Sequence, residues 1–339
     1  MKISSEKIER VASFGKTLNR ENRVADVERI AGLFPRGHLS IVASMAGTGK
    51  TWFTEYLACC LSIGGQILSG LVAKSKPMKT VILAGETGTD LLDYRLSLTR
   101  WQYDPKRIKA YNAVEMMMAG LNCMMNTAEG QENIITIFAH EKPDIVFIDT
   151  LISFHNTDES KQGEMTSLYT FLLRLARTFN CAIVVNHHTR KRPASFSGKR
   201  FSQEDIIGTS AGVRLCASAY IIMAEENGQG GSTMTVLNPK SWYRKVPEFT
   251  YKFVTDDEGL IDFEVSFDVS HKNLMWSIRD RFSSIIQEHE AGTILKVADV
   301  AKELCTTPEA MRYYFEEAVK GGHLEKIRIL GETGYRLTK

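Results

Sequence analysis

A lysine and a hydroxyl residue preceded by spaced glycines, set between an apolar run and a helical one, are the residue types that grip a polyphosphate. The segment ASMAGTGKT at 43–51 has this form and leads into WFTEYLACCL. In such a loop Ala46, Gly47, Thr48 and Gly49 turn backbone amides toward phosphates, with the two glycines supplying the sharp turns. Lys50 then places its ammonium between the terminal phosphates, and Thr51 offers a hydroxyl to magnesium. The loop begins with Ser44 where glycine is usual, which removes some backbone freedom but leaves the reacting positions intact. A second apolar run, DIVFIDT at 144–150, delivers Asp149 to a strand end, where a carboxylate can hold that magnesium through water. Threonine follows Asp149, so the carboxylate that orients an attacking water must come from elsewhere. Glu86, ending VILAGE, is the candidate. The chemistry implied is hydrolysis of ATP with Mg2+.

These groups need a scaffold that brings several strand ends together. The run Leu39 to Val42, then 81–85, 144–149, 181–186 and 219–223, are short β-rich stretches between helical ones. Strands of this kind, nearly continuous in apolar residues, imply a parallel sheet covered on both faces. The expectation is an α/β, doubly wound, mainly parallel sheet over 37–270, with the VILAG strand beside the strand that precedes the loop. Residues 1–36 carry helical patterning and are expected to form an N-terminal helical segment. From Ser232 to about Phe267 the pattern changes to an antiparallel extension.

The final stretch, 271–339, reads as three amphipathic helices and a hairpin, the order of a winged helix-turn-helix domain. Its third helix has Thr307 placed as N-cap, Pro308 at the first helical position and Gly321-Gly322 at the end. That helix carries Glu309, Glu316 and Glu317 against Arg312 and Lys320, while Lys326, Arg328 and Arg336 lie on the hairpin. Duplex DNA binding, protein contact and a structural lid all remain open for it.

Between Thr189 and Phe201 the chain gathers Arg190, Lys191, Arg192, Lys199 and Arg200 without an acid, interrupted by Pro193, Phe196 and Gly198. Cations interleaved with aromatics suit single-stranded DNA, where phosphates are neutralised and bases stack. The segment SFHNTDESKQGEM at 153–165 is a weaker companion. The 339-residue chain has a net charge of +2, which by itself names no partner. No apolar run reaches the ~18 residues of a membrane helix, and MKISSEKIER does not read as a secretory signal. A soluble, cytoplasmic protein is expected. The six cysteines show no CxxC pair and read as free thiols.

Glu86 after one strand, Asp149 after the next and His187-His188 ending VVNHH together resemble the RecA-fold ATPases, most of all the plasmid RepA-type hexameric replicative helicases, over about 30–255. The resemblance implies that Glu86 is the catalytic carboxylate and that His187 or His188 senses the γ-phosphate. It places Arg95, in LDYRL, near the adenine. It also implies a homo-hexamer in which an arginine of the neighbouring subunit completes the site, here Arg214 in GTSAGVRL or Arg244 in KSWYRK. The function it points to is an ATP-dependent helicase or translocase on single-stranded DNA in replication of a plasmid, phage or mobile element. A RecA-fold recombinase or recombination mediator and an ATP-gated DNA-binding regulator or replication initiator are the alternatives.

Overall fold

The computed structural model describes residues 29–64, 76–86, 88–189, 202–206, 210–227, 231–243, 246, 248–266, 282, 285–287, 289–303, 308–329 and 332–338. Its centre is a nine-stranded sheet. In chain order the strands are β3 (Leu39–Ser44), β4 (Thr80–Ala84), β5 (Ile108–Asn112), β6 (Ile145–Asp149), β7 (Ala182–His188), β8 (Ser218–Asn227), β9 (Gly231–Ser241), β10 (Phe249–Thr255) and β11 (Ile261–Ser266), and β1 (Arg29–Ile30) and β2 (Phe34–Pro35) precede them as a separate pair. Across the sheet the order is β11-β10-β9-β8-β3-β7-β6-β4-β5. From β8 to β5 all neighbours are parallel, and β9 to β11 extend the sheet in antiparallel fashion. The α/β fold with a mainly parallel sheet is therefore present.

Strand residues alternate between two cores, as a pleat with both faces covered requires. Val42, Ile82, Ala84, Ile145, Phe147, Ala182 and Val184 face one core, which also receives helix α1 (Lys50–Ile63), helix α2 (Thr89–Ser97) and the inner side of β10 and β11. Ile41, Ala43, Val81, Leu83, Val146, Ile148, Ile183 and Val185 face the other. Helices α3 (Ala113–Met118), α4 (Ala128–Glu141), α5 (Gln162–Thr178) and α6 (Ser210–Leu215) cover that second face.

Two expectations are corrected. Residues 29–36 are not helical: Ala31 and Gly32 take positive φ, which turns the chain back so that β1 and β2 pair antiparallel. Phe34 is fully buried edge-on to Phe147 and Tyr220, and the Tyr220 hydroxyl donates to the Leu33 carbonyl at 2.6 Å. This hairpin belongs to the main core; residues 1–28 lie outside the described residues. The VILAG strand, β4, is not beside β3 either, because β7 and β6 lie between them. Apolar strings carry no record of strand order, which the crossover helices decide.

The C-terminal residues form a unit with its own core. Strands β12 (Ile294–Leu295), β13 (Leu324–Ile329) and β14 (Glu332–Leu337) make a sheet in the order β12-β14-β13, joined by helices α7 (Val297–Glu303) and α8 (Pro308–Lys320). Phe282, Leu295, Met311, Phe315, Leu324 and Tyr335 pack together inside it. Glu316 on α8 is tied to the hairpin by Lys326 at 2.7 Å and the Tyr335 hydroxyl at 3.0 Å, so this carboxylate serves an internal contact. Thr307 and the boundary around 268–275 lie outside the described residues.

Candidate nucleotide site

Helix α1 begins at Gly49 with no side-chain cap and no acid in its first turn. By contrast α3 and α4 are capped by Asn112 and Thr127. The first turn of α1 thus keeps its amide donors for an anion, the condition of a phosphate cradle. Gly47 and Gly49 have φ of 77° and 88°, and a Cβ on Gly47 would meet nothing within 4 Å. At Gly49 a Cβ would lie 3.2 Å from the Phe253 ring, so the antiparallel extension closes the rear of the loop. Ser44 is buried and its hydroxyl bonds to the Met45 carbonyl at 2.8 Å.

Lys50 is buried at the helix start. Burial lowers its pKa, while the charges of Asp149 and Glu86 pull it back up. The two carboxylates come from separate strand ends, Asp149 from β6 and Glu86 from just past β4. Asp149 is the buried last residue of β6, in register with Ala84 of β4. Its carboxylate forms no hydrogen bond among the described residues and stays available as an oxygen donor. Glu86 follows two residues beyond β4; its side chain is 57% exposed, with one oxygen 3.9 Å from His188 Nε2 and 3.1 Å from the Thr150 hydroxyl. The donor set is hard oxygen with a lysine, open at Gly47, and it suits a triphosphate with magnesium.

The paired histidines separate by strand parity. His188 shares a face with Val184, Asn186 and helix α1, where Asn186 Nδ2 bonds to the Thr54 hydroxyl at 3.2 Å. His187 points to the other face, with its side chain 8% exposed and Nε2 3.9 Å from Glu159. Its Nδ1 accepts the His188 amide at 3.0 Å, and Nδ1 of buried His155 likewise accepts the Thr157 amide at 3.2 Å. Each ring therefore carries its proton on Nε2 when neutral. Burial holds both imidazoles below the usual range, against the opposing pull of Glu159. His155 and Glu159 come from the 153–165 segment, which packs here on strand β7. Sequence offered no signal for that contact.

Arg95 forms a 3.1 Å ion pair with Glu55 of α1 and lies over the Trp52 ring at 5.9 Å. Trp52 also meets Trp101 and Phe253 edge-on. Glu55, 4% exposed, is pushed up to about 7 by burial, with Arg95 opposing. Arg214 is exposed in the last turn of α6, whose terminal carbonyls at Val213 and Arg214 accept from Lys240. The chain runs from there into the amino end of β8, in register with the amino end of β3, so Arg214 sits at the sheet edge opposite its own Lys50. Arg244 and the basic residues Arg190, Lys191, Arg192, Lys199 and Arg200 lie outside the described residues. Their segment leaves directly after Thr189, which bridges back to Ile206 at the carboxyl edge. Among the described residues no three His, Cys, Asp or Glu side chains cluster as a metal site, and no helix is long and apolar enough to cross a membrane. Cys59, Cys60, Cys123, Cys181 and Cys216 are free.

A strand, an uncapped glycine-rich turn and a helix at the carboxyl edge of a mainly parallel sheet, with an acidic strand end close by, define a P-loop nucleotide-binding domain of the α/β class. The chain belongs to the AAA domain family, whose profile matches residues 13–194. Among solved structures it is similar to a KaiC-like protein from the hyperthermophilic archaeon Pyrococcus horikoshii, at 14% identity and a TM-score of 0.43, covering 71% of this chain and 100% of that one. No curated protein matches it in sequence.

Proposed function

We propose that this chain is a ring-forming, magnesium-dependent ATPase that moves on or remodels single-stranded DNA, as a replicative helicase of a plasmid, phage or other mobile element. One observation carries the reading: strand β7 presents His188 toward Glu86 and ends there, and after Thr189 the sequence runs straight into the basic residues between 190 and 200. On this view a nucleotide-sensing histidine and a polyanion-binding segment are joined through one strand end. In this reading the amides from Ala46 to Gly49 and the Lys50 ammonium hold the phosphates. Thr51 and Asp149 would hold magnesium, which when bound neutralises phosphate charge. Glu86 orients the attacking water and accepts its proton. His188, of the two histidines, faces the γ-phosphate, and its displacement on phosphate loss moves the start of the DNA segment. Arg95 and Trp52 border the base. Arg214, remote from its own Lys50, acts on the site of the next copy in a homo-hexamer.

A second reading, an ATP-gated duplex-binding regulator, is favoured by the C-terminal unit, whose helix–helix–hairpin order and separate core suit a winged helix. The deciding experiment is ATP turnover with and without single-stranded DNA, for the native chain and Lys50→Ala. A motor is expected to be stimulated severalfold, with all turnover lost in the variant. Turnover indifferent to single-stranded DNA favours the regulator.

A further inference from the structure

The junction of β4 and β6 holds the backbone just before Glu86 at two points and the Glu86 side chain at a third. The Gly85 amide donates to the Asp149 carbonyl at 2.6 Å, which continues the strand pairing one step past β4. A Cβ on Gly85 would lie 2.4 Å from the Ser153 side chain and 3.0 Å from the Thr150 carbonyl, so the backbone just before Glu86 is pressed against the turn after β6. From that turn the Thr150 hydroxyl donates to Glu86 Oε1 at 3.1 Å. Thr150 is buried, whereas the Glu86 side chain is more than half exposed, so burial does little to define its rotamer. A mobile carboxylate loses most of its value as a water-orienting group, since small misplacements of a reacting group cost up to about a hundredfold in rate.

We propose that Thr150 is a positioning residue for hydrolysis: its hydroxyl anchors one oxygen of Glu86 and leaves the other to hold the attacking water. This rests on Glu86 being the catalytic carboxylate. A threonine after the strand-end aspartate, where a carboxylate could otherwise have stood, then has a role in the reaction through its neighbour. A β-branched side chain suits it, because a restricted χ1 keeps the hydroxyl aimed.

The test is steady-state ATP hydrolysis by the full chain, with kcat and KM measured separately for Thr150→Val, Thr150→Ser and Glu86→Gln. Valine keeps the shape and the β-branch but removes the donor. Thr150→Val is expected to lower kcat about tenfold to a hundredfold with KM within about twofold, and Thr150→Ser to recover most of the loss. In a Glu86→Asp background, whose shorter side chain cannot reach the hydroxyl, Thr150→Val is expected to cost nothing further. Native kcat in Thr150→Val alongside an inactive Glu86→Gln overturns the role of Thr150 alone. An equal loss in the Glu86→Asp background overturns it too, by showing a structural effect. Native turnover in Glu86→Gln removes the reading of Glu86 and this proposal with it.

Discussion

Glu55 shows how one buried carboxyl can tie the stability of the nucleotide helix to pH. Its folded-state value of about 7 lies above the usual carboxyl range, because burial in α1 outweighs the pairing with Arg95. Between those two values the folded chain holds a proton that the unfolded chain has released. The contribution is therefore full at low pH and is lost as pH rises through about 7, at about 1.4 kcal/mol for each unit of the rise. The melting temperature of the native chain, relative to Glu55→Gln, is expected to fall between pH 5 and pH 8; curves that run parallel in pH would count against a buried, proton-holding Glu55. Nothing in the sequence announces this residue. Lys50, Thr51 and Asp149 stand out as candidates because each lies in a short local pattern beside an apolar run. Glu55 and Arg95, or His187 and Glu159, meet only after the sheet has formed, and no local pattern links them. The opposite faces of His187 and His188 follow from the parity of β7 relative to α1, which neighbouring core residues supply once the strand is placed.

At the level of elements, turns and strand ends carry most of what the sequence left open. Gly85 has no left-handed conformation to explain it; the reason for glycine there is the contact with Ser153. Gly85→Ala is expected to destabilise the chain by about 1–3 kcal/mol and to lower kcat by displacing Glu86. Adding Ser153→Gly should return most of the stability, as read from denaturant midpoints, since it removes the atoms nearest the new Cβ. Failure of that rescue would point to the Thr150 carbonyl as the obstacle. The central strands β3, β4, β6, β7 and β8 are legible as Val- and Ile-rich runs, whereas β5, IKAYN at the sheet edge, carries no continuous apolar run and gives no such signal. Residues 29–36 misled because a helical pattern and a hairpin can share an apolar spacing, and the positive φ at Ala31 is not marked by a residue type that favours it. The pair Ile294–Leu295 was missed for a different reason: two residues give no periodicity to read.

For the whole molecule, the separate cores divide the labour. The buried cluster of the C-terminal unit shares no residue with the two clusters of the sheet. A chain ending at residue 270 is accordingly expected to keep ATP turnover within about twofold and, on the regulator reading, to lose affinity for duplex DNA, with fluorescence anisotropy on a labelled duplex as the readout. Loss of turnover instead would assign the unit a role in holding the ATPase together.

The contact between Phe253 and Gly49 also bears on how the molecule is made. The face of α1 is buried by Phe249, Tyr251 and Phe263, with Phe53 stacked on Tyr251 and Tyr56 on Phe263. A growing chain emerging from the ribosome therefore displays its phosphate loop long before the aromatic wall behind that loop has been synthesised. Until β10 and β11 arrive, α1 exposes Phe53 and Tyr56, and the loop has no rigid backing. Such distant pairings favour slow, late consolidation. The aromatic backing of the loop is thus among the last parts of the central sheet to be synthesised.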